Sequence, residues 1–190
     1  NLLLISLVVG ISAGKPFRRW PAASFVDLVC RLAAADPRRR IILTAGPSDA
    51  GAAATIANDA RGRLAPGLRG VVVECGEFSL AELRSLIGRA ALYIGGDSGP
   101  MHVAGTTGVP VVGVYGPTLP ALSRPYRSAS CPSAAAEVEG LPCRPCDQRP
   151  ASRRRFARPS AVQGRRRMHS ADSPRSSTPV PRPQRRPPWP

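Results

Sequence analysis

Hydrophobic residues in the first 116 positions follow two alternating patterns. Short apolar runs rich in β-branched residues, closed by Gly or Pro, are typical of strands buried on both faces of a sheet. Segments between these runs repeat apolar residues at helical spacing, as Phe25, Leu28 and Leu32 do. The patterns predict strands over 2–11, 40–45, 71–74, 91–94 and 111–115, and helices over 22–35, 49–64, 79–89 and 97–107.

Polar residues indicate where two of the helices begin. Ser24 is placed to cap the first turn of the helix over 22–35, and Asp36-Pro37 ends that helix. Ser79 is followed three residues later by Glu82, which is the spacing of a capping box. We therefore expect the helix over 79–89 to begin at Ser79.

Strands that alternate with helices predict a parallel sheet with helices on both faces, because each crossover returns the chain over one face. We therefore expect an α/β fold, with a Rossmann-like parallel sheet, over residues 1–148. The pattern stops at about residue 149. Residues 149–190 contain twelve Arg and nine Pro without apolar periodicity. We predict a disordered tail there, since such a segment buries too little surface to offset its ordering entropy.

The net charge of the chain is concentrated in this tail. Residues 149–190 carry a net charge of +11, from twelve Arg and Asp172, so the +15 of the whole chain leaves only +4 for residues 1–148. A charge of +4 gives no reason to expect a nucleic-acid-binding surface on the body of the protein. Binding of nucleic acid or of an anionic membrane by the tail stays open as an alternative.

The rest of the composition points to a cytoplasmic protein. No apolar stretch approaches the roughly 20 residues that span a membrane. The apolar residues 2–9 are few and lack a basic flank, so we do not expect a signal peptide. Cys30 and Cys75 fall in apolar patterns that predict buried free thiols, and therefore a reducing environment.

Three further cysteines lie near the start of the tail. Cys143 and Cys146 form a Cys-x-x-Cys pair in a Pro-rich loop, and Cys131 precedes them. A zinc site needs four ligands, and only His169 could complete this set. We therefore expect no metal, with Cys131, Cys143 and Cys146 as weak candidate ligands.

The segment Gly95-Gly96-Asp97-Ser98-Gly99-Pro100-Met101-His102 follows a predicted buried strand and begins a helix. Ligands of open α/β sheets bind at the carboxyl ends of the strands, where helix N-termini attract phosphate. Gly99 would let a ligand approach the backbone, Ser98 adds a hydroxyl donor, and His102 could reach the same cleft. The structural alternative is that Asp97 or Ser98 only caps the helix, and that His102 only packs.

Three more strand ends carry residues suited to a phosphorylated ligand. Lys15, Arg18 and Arg19 follow the first strand and could bind phosphate, although surface arginines are usually solvated. Asp49 follows the second strand and could accept a ribose hydroxyl or cap the next helix. The fifth strand ends in Tyr-Gly-Pro-Thr at 115–118. Because the strand ends of a parallel sheet meet at one edge, these residues predict one site.

Together these segments resemble glycosyltransferase family 9, the heptosyltransferases of lipopolysaccharide core synthesis. The resemblance covers about residues 8–148, and its motifs are Trp-Pro at 20–21, Asp-Ser-Gly-Pro-Met-His at 97–102, Gly-Val-Pro-Val-Val at 108–112 and Tyr-Gly-Pro-Thr at 115–118. Their combination in this order is specific, whereas each motif alone is weak. Leu-Pro-Cys-Arg-Pro-Cys at 141–146 matches the beginning of a further family segment.

The resemblance implies a GT-B architecture of two Rossmann-like domains, of which this chain would be the C-terminal, donor-binding one. The expected donor is ADP-heptose, and the expected acceptor is a lipid-linked saccharide of the lipopolysaccharide core. Family members invert the anomeric centre without a metal or cofactor, and their general base lies in the N-terminal domain, which we expect to be absent here. Together with Lys15, the expected donor-binding residues are Arg18, Asp49, Asp97, Ser98, Gly99 and His102.

The resemblance also implies a cytoplasmic enzyme and leaves open a peripheral contact with the inner face of the inner membrane. Other interpretations remain. The half-fold could serve another nucleotide-sugar transferase or an epimerase, or the chain could be a nucleotide-sugar-binding fragment without activity. The abrupt change in composition after residue 148 suggests an out-of-frame translation of a GC-rich gene, and resequencing through that junction would test this hypothesis.

Overall fold

The computed structural model describes residues 6–138 and 144–145. Within these residues, six parallel strands form one sheet: β1 (Ser6–Gly10), β2 (Arg40–Thr44), β3 (Val72–Glu74), β4 (Leu92–Gly96), β5 (Val111–Tyr115) and β6 (Ser133–Glu137). The α-helices of the same region are α1 (Ala22–Ala35), α2 (Ala50–Arg63), α3 (Leu80–Gly88), α4 (Gly99–Gly105) and α5 (Pro120–Ser123). The order across the sheet is β3-β2-β1-β4-β5-β6.

The central strands bury both faces, and two hydrophobic cores result. Successive residues of a strand point to opposite faces of the sheet. Val9 of β1 packs with residues of α1 and α2 in one core, and Val8 packs with residues of α3 and α4 in the other. Both side chains are fully buried. Burial on two sides explains why the strands are continuously apolar in sequence and do not alternate with polar residues.

The predicted α/β fold with a parallel sheet is confirmed. The bounds of α1 and β5 are those predicted, and most other elements differ by one or two residues at an end. The strand predicted over 2–11 is observed as Ser6–Gly10, with residues 1–5 outside the described part of the chain. The helix predicted over 97–107 is shorter, because β4 continues to Gly96 and Ser98 keeps an extended backbone with φ −156° and ψ 167°.

One of the two predicted caps is present. Ser79 and Glu82 form the capping box of α3: the Glu82 amide donates to the Ser79 hydroxyl at 3.3 Å, and the Ser79 amide donates to the Glu82 carboxylate at 2.8 Å. The prediction that Ser24 caps α1 is wrong. The helix begins at Ala22, directly after Pro21, so Ser24 lies inside the first turn and its amide donates to the Pro21 carbonyl.

The last strand of the described sheet, β6, was not expected from the apolar pattern. Its sequence, Ser-Ala-Ala-Ala-Glu, is exposed along its whole length and therefore shows no hydrophobic alternation. It pairs in parallel register with β5, from Val111 opposite Ser133 to Tyr115 opposite Glu137. Backbone pairing, rather than burial of side chains, therefore creates this strand and brings Glu137 to the carboxyl edge of the sheet.

Two glycines make room for a tyrosine on the face of the sheet that α3 and α4 cover. Gly10 and Gly95 are register partners on β1 and β4, and the fully buried ring of Tyr93 lies against both. Among the described residues its hydroxyl has no hydrogen-bond partner, and burial raises the pKa of Tyr93. The glycines at the ends of these strands are therefore required by packing, whatever binds above them.

Candidate functional site

The direction in which the chain moves across the sheet changes between β1 and β4. From β1 the chain continues to β2 and β3 on one side, whereas β4 leads to β5 and β6 on the other. The connections that leave β1 and β4 therefore diverge and leave a crevice, which is where open α/β sheets bind their ligands. The first connection contains a 3-10 turn over Pro16–Arg18, and the second is the short turn Asp97-Ser98 before α4.

An ion pair joins the two sides of this crevice. Arg18 Nη1 donates to Asp97 Oδ2 at 3.2 Å, across a separation of 79 residues in sequence. The Asp97 side chain is 7% exposed and the Arg18 side chain 31% exposed. The partly open guanidinium and the buried carboxylate place a cation at the mouth of the crevice, with its counter-charge beneath it.

A second ion pair lies beside the first. Arg19 Nη2 contacts Asp49 Oδ1, and the Asp49 side chain is 5% exposed. The loop after β2, which carries Asp49, contacts the loop after β1 (the β1 loop), because the Gly46 amide donates to the Ser12 hydroxyl at 2.8 Å. Three strand ends are thereby linked through partly buried polar contacts.

The capping alternative for the polar residues before α4 and α2 is not what the structure shows. Ser98 occupies the N-cap position of α4, yet its side chain makes no capping hydrogen bond and donates instead to the Gly96 carbonyl at 3.1 Å. Asp49 occupies the N-cap position of α2, and its carboxylate likewise makes no capping bond. At Gly99 nothing lies within 4 Å of where a Cβ would stand, so the backbone there faces open space.

Two of the predicted site residues do not take part in these ion pairs. Lys15 is exposed, and its Nζ lies 5.8 Å from the centre of the Phe17 ring. His102 is exposed on α4 and makes no side-chain hydrogen bond or ion pair with any described residue. The structure thus brings together Arg18 with Asp97 and Arg19 with Asp49, and leaves Lys15 and His102 at the surface.

A cleft of about 480 Å³ opens next to the ion pairs, between the β1 loop and the ends of β4, β5 and β6. Arg18, Arg19 and Glu137 are its charged lining residues. Its apolar walls include Phe17, Trp20, Ile94, Val112, Val114 and Val138. Glu137 was missed by the sequence reasoning, because β6 carries no apolar signal and its pairing with β5 could not be anticipated.

Tyr115, the last residue of β5, packs in the core next to the site. Its ring is buried, and burial, with a further contribution from the Asp97 carboxylate, raises the pKa of Tyr115 to about 12. Its hydroxyl lies 3.6 Å from Met101 Sδ. A phenol with this pKa stays protonated at neutral pH, so Tyr115 contributes packing and not a proton acceptor.

Within residues 6–138 and 144–145 no group of three or more His, Cys, Asp or Glu side chains is arranged to hold a metal. Cys131 is a free thiol there, and Cys30 and Cys75 are free and partly buried. Cys143, Cys146, His169 and the predicted tail over 149–190 lie outside the described residues. In the same described residues, no helix is both long enough and apolar enough to cross a bilayer.

Comparisons with known proteins identify relatives for most of the chain. Residues 6–152 match the family model described as glycosyltransferase family 9 (heptosyltransferase). Over 143 residues the chain is 30% identical to lipopolysaccharide heptosyltransferase 3 of Escherichia coli. This alignment covers 75% of the chain and 40% of that relative.

Two solved structures share the fold. Escherichia coli ADP-heptose lps heptosyltransferase II matches with a TM-score of 0.59 and 23% identity, over 75% of this chain and 40% of that one. Escherichia coli heptosyltransferase WaaC with ADP matches with a TM-score of 0.59 and 22% identity, over 72% of this chain and 38% of that one. The chain therefore spans about two fifths of the length of the proteins it resembles.

Proposed function

The chain belongs to glycosyltransferase family 9, and on that premise we propose that its described domain binds the ADP-heptose donor of a heptosyl transfer. The proposed acceptor is a lipid-linked saccharide of the lipopolysaccharide core, reached at the cytoplasmic face of the inner membrane. The observation that carries the proposal is the pair of arginines at the crevice, Arg18 and Arg19, each held by a buried aspartate from another strand end.

The proposed diphosphate ligand fits the free donors of this crevice. Among the described contacts Nη1 of Arg18 bonds to Asp97 and Nε is buried without a partner, so phosphate oxygens would bind the remaining N–H donors of Nη1 and Nη2. The exposed ammonium of Lys15 lies on the same loop and would add a second cation. The open backbone at Gly99 borders the other side, where the Ser98 hydroxyl already donates to the Gly96 carbonyl and would bind a phosphate only by releasing that bond.

The remaining predicted residues suit the two ends of such a donor. Asp49, at the end of the β2 loop, would accept hydroxyl protons of the ribose, and Asp97 would accept those of the sugar. His102 would reach the donor only from the exposed face of α4. The complex of WaaC with ADP supports an adenine nucleotide as the donor for a chain of this fold.

The chemistry assigned to this domain is stabilisation of the leaving group. In the proposed transfer the acceptor hydroxyl attacks the anomeric carbon, the bond from that carbon to the diphosphate breaks, and ADP departs with inversion. Fixed cations next to the departing phosphate stabilise the developing negative charge, so Arg18 and Lys15 would serve without a metal. The base that takes the acceptor proton is proposed to belong to a second domain, as the family resemblance implies.

Donor binding without transfer is the second candidate function of this chain. It is favoured by the ion pairs of the site, since Asp49, Asp97 and Glu137 are each paired with an arginine and are not free to take the acceptor proton. Release of ADP from ADP-heptose and a core acceptor, measured with the chain alone, separates the two. Turnover would exclude this second candidate.

Calorimetric titration of the whole chain with ADP, UDP, GDP and adenosine tests the donor site. We expect ADP to bind most tightly, and we expect Arg18→Gln to weaken ADP about tenfold while changing adenosine little, because a charge-assisted bond to phosphate contributes about 1.5–3 kcal/mol. Arg38→Gln is the matched control, since Arg38 is 86% exposed and lies before β2, at the opposite edge of the sheet.

Absence of binding for every nucleotide would refute the donor site. If Arg18→Gln lowered the affinities for ADP and for adenosine equally, Arg18 would not contact the phosphates and its role would be structural. His102→Ala provides a separate check: unchanged ADP affinity would mean that His102 does not contact the donor.

A further inference from the structure

Arg144 is a buried arginine whose three guanidinium nitrogens are all bonded. Its Nε and Nη2 donate to the Thr118 carbonyl at 3.1 Å and 2.7 Å, and its Nη1 donates to the Val138 carbonyl at 3.1 Å. Nη1 also forms an ion pair with Glu137. The Arg144 side chain is 6% exposed, so this arrangement is fixed by its surroundings and is not a solvated surface contact.

The groups that Arg144 holds form one wall of the cleft beside the crevice. Thr118 ends the segment 116–118 that follows β5, and Gly116 and Pro117 line the cleft. Glu137 and Val138, at the end of β6, line it as well. Arg144 therefore bonds to residues at the two strand ends that face Arg18 and Arg19, in addition to the backbone pairing of β5 with β6. Its loss would free the segment 116–118, which lies beyond the paired residues.

The charge of Glu137 gives Arg144 a second effect on the cleft. The Glu137 side chain is 27% exposed and lines the same cleft as the arginines proposed to meet phosphate. An unpaired carboxylate there would repel a diphosphate or attract the guanidinium groups away from it. Paired with Arg144, its field is largely cancelled.

The balance of charges around the site depends on Arg144. The ion-paired side chains and Lys15 contribute four cations, Lys15, Arg18, Arg19 and Arg144, and three carboxylates, Asp49, Asp97 and Glu137. Arg124 is a further cation near Tyr115. The excess of cations suits an anionic ligand, and loss of Arg144 lowers that excess by one charge.

We propose that Arg144 is a positioning residue of the donor site, which holds the segment 116–118 in place and neutralises Glu137 so that a nucleoside diphosphate meets a net positive cleft. This inference rests on the proposed function, because it presupposes that a diphosphate binds at the crevice. No contact between Arg144 and the donor is required.

Affinities of the whole chain for ADP and for adenosine, measured by calorimetry, test this role. Arg144→Gln should weaken ADP about tenfold and adenosine less than about twofold, since only ADP carries the charge that the cleft is built to meet. Glu137→Gln keeps an acceptor for Arg144 and removes one negative charge. It should therefore raise the affinity for ADP about threefold and leave the affinity for adenosine unchanged. The double variant should recover part of the loss, and the unrecovered part measures the positioning of segment 116–118.

Arg127→Gln is the matched control for losing a guanidinium that bonds backbone carbonyls. Arg127 donates to the carbonyls of Thr107 and Val109 at the amino edge of the sheet, far from the cleft in the topology, and its loss should leave ADP affinity unchanged. If Arg144→Gln fails to fold, as judged by circular dichroism, Glu137→Gln alone decides: stronger ADP binding supports the proposal and unchanged binding overturns it.

The outcomes distinguish this inference from the function on which it rests. A wild-type chain that binds no nucleotide overturns both. A wild-type chain that binds ADP, with an Arg144→Gln variant that binds it equally well, overturns the role of Arg144 alone. Equal weakening of ADP and adenosine by Arg144→Gln also overturns it, because that result indicates a purely structural arginine.

Discussion

The contact between Tyr93 and the strand glycines yields a prediction with a calculable size. The Tyr93 hydroxyl is buried without a partner among the described residues, so Tyr93→Phe removes an unsatisfied polar group from the core. Desolvating such a group costs about 1–3 kcal/mol, and part of that gain is lost to the small void left behind. We expect Tyr93→Phe to raise the free energy of unfolding by about 1 kcal/mol, or the melting temperature by about 2–4 °C.

The neighbouring glycines allow the same hydroxyl to be tested by steric coupling. A Cβ at Gly10 would be nearest to the Tyr93 hydroxyl and 3.0 Å from Cζ, whereas a Cβ at Gly95 would be 2.9 Å from two ring carbons as well as 2.6 Å from the hydroxyl. Both alanine variants should lose about 1–3 kcal/mol through overpacking. The hydroxyl is the main source of the clash only at Gly10. Tyr93→Phe should therefore restore more stability to Gly10→Ala than to Gly95→Ala.

Urea denaturation of the three single variants and the two double variants measures this coupling, and Gly14→Ala is the control, since nothing lies within 4 Å of a Cβ there. A loss of stability in Tyr93→Phe would refute the reasoning, because it would show that the hydroxyl is hydrogen-bonded in solution. Equal rescue of the two alanine variants would refute the assignment of the clash at Gly10 to the hydroxyl.

Two further predictions concern the site and a helix end. Asp49→Asn should weaken ADP and adenosine alike, by about tenfold, because its proposed partner is the ribose that both ligands share; calorimetry showing weaker ADP alone would place Asp49 at the phosphates. Ser79→Ala should lower the melting temperature, because the Ser79 hydroxyl caps α3 and bonds to Glu82. The hydrogen bond from the Ser79 side chain is the main cause that lowers the pKa of Glu82 below its ordinary value. The stabilisation of the fold by this hydrogen bond is therefore present above the ordinary pKa of a glutamate and is lost as the pH falls through the lowered pKa. The difference between wild type and Ser79→Ala should therefore shrink in melts taken from about pH 7 to about pH 3, and a constant difference would contradict this account.

The kind and order of the elements through β5 could be predicted from the sequence, because each of them carries its own local signal. Strands buried on two faces are continuously apolar, as β5 is, and helices packed on one face repeat apolar residues as α1 does. β6 lacks any such signal, because its residues are exposed and its pairing with β5 holds it in place. The cap at Ser24 was misplaced although the bounds of α1 were predicted correctly, because Pro21 occupies the N-cap position and Ser24 lies inside the first turn.

For the candidate site, the sequence by itself determined that polar residues would gather at the carboxyl ends of the strands. Which of them touch was decided only by the tertiary structure. Arg18 meets Asp97 across 79 residues, whereas His102, only five residues beyond Asp97, remains exposed on α4. Arg144 meets Glu137 and Thr118 through a strand that the sequence did not reveal. Burial is encoded locally by hydrophobic spacing, but contacts between polar side chains depend on strand register and on the paths of loops, which many distant packing contacts set together.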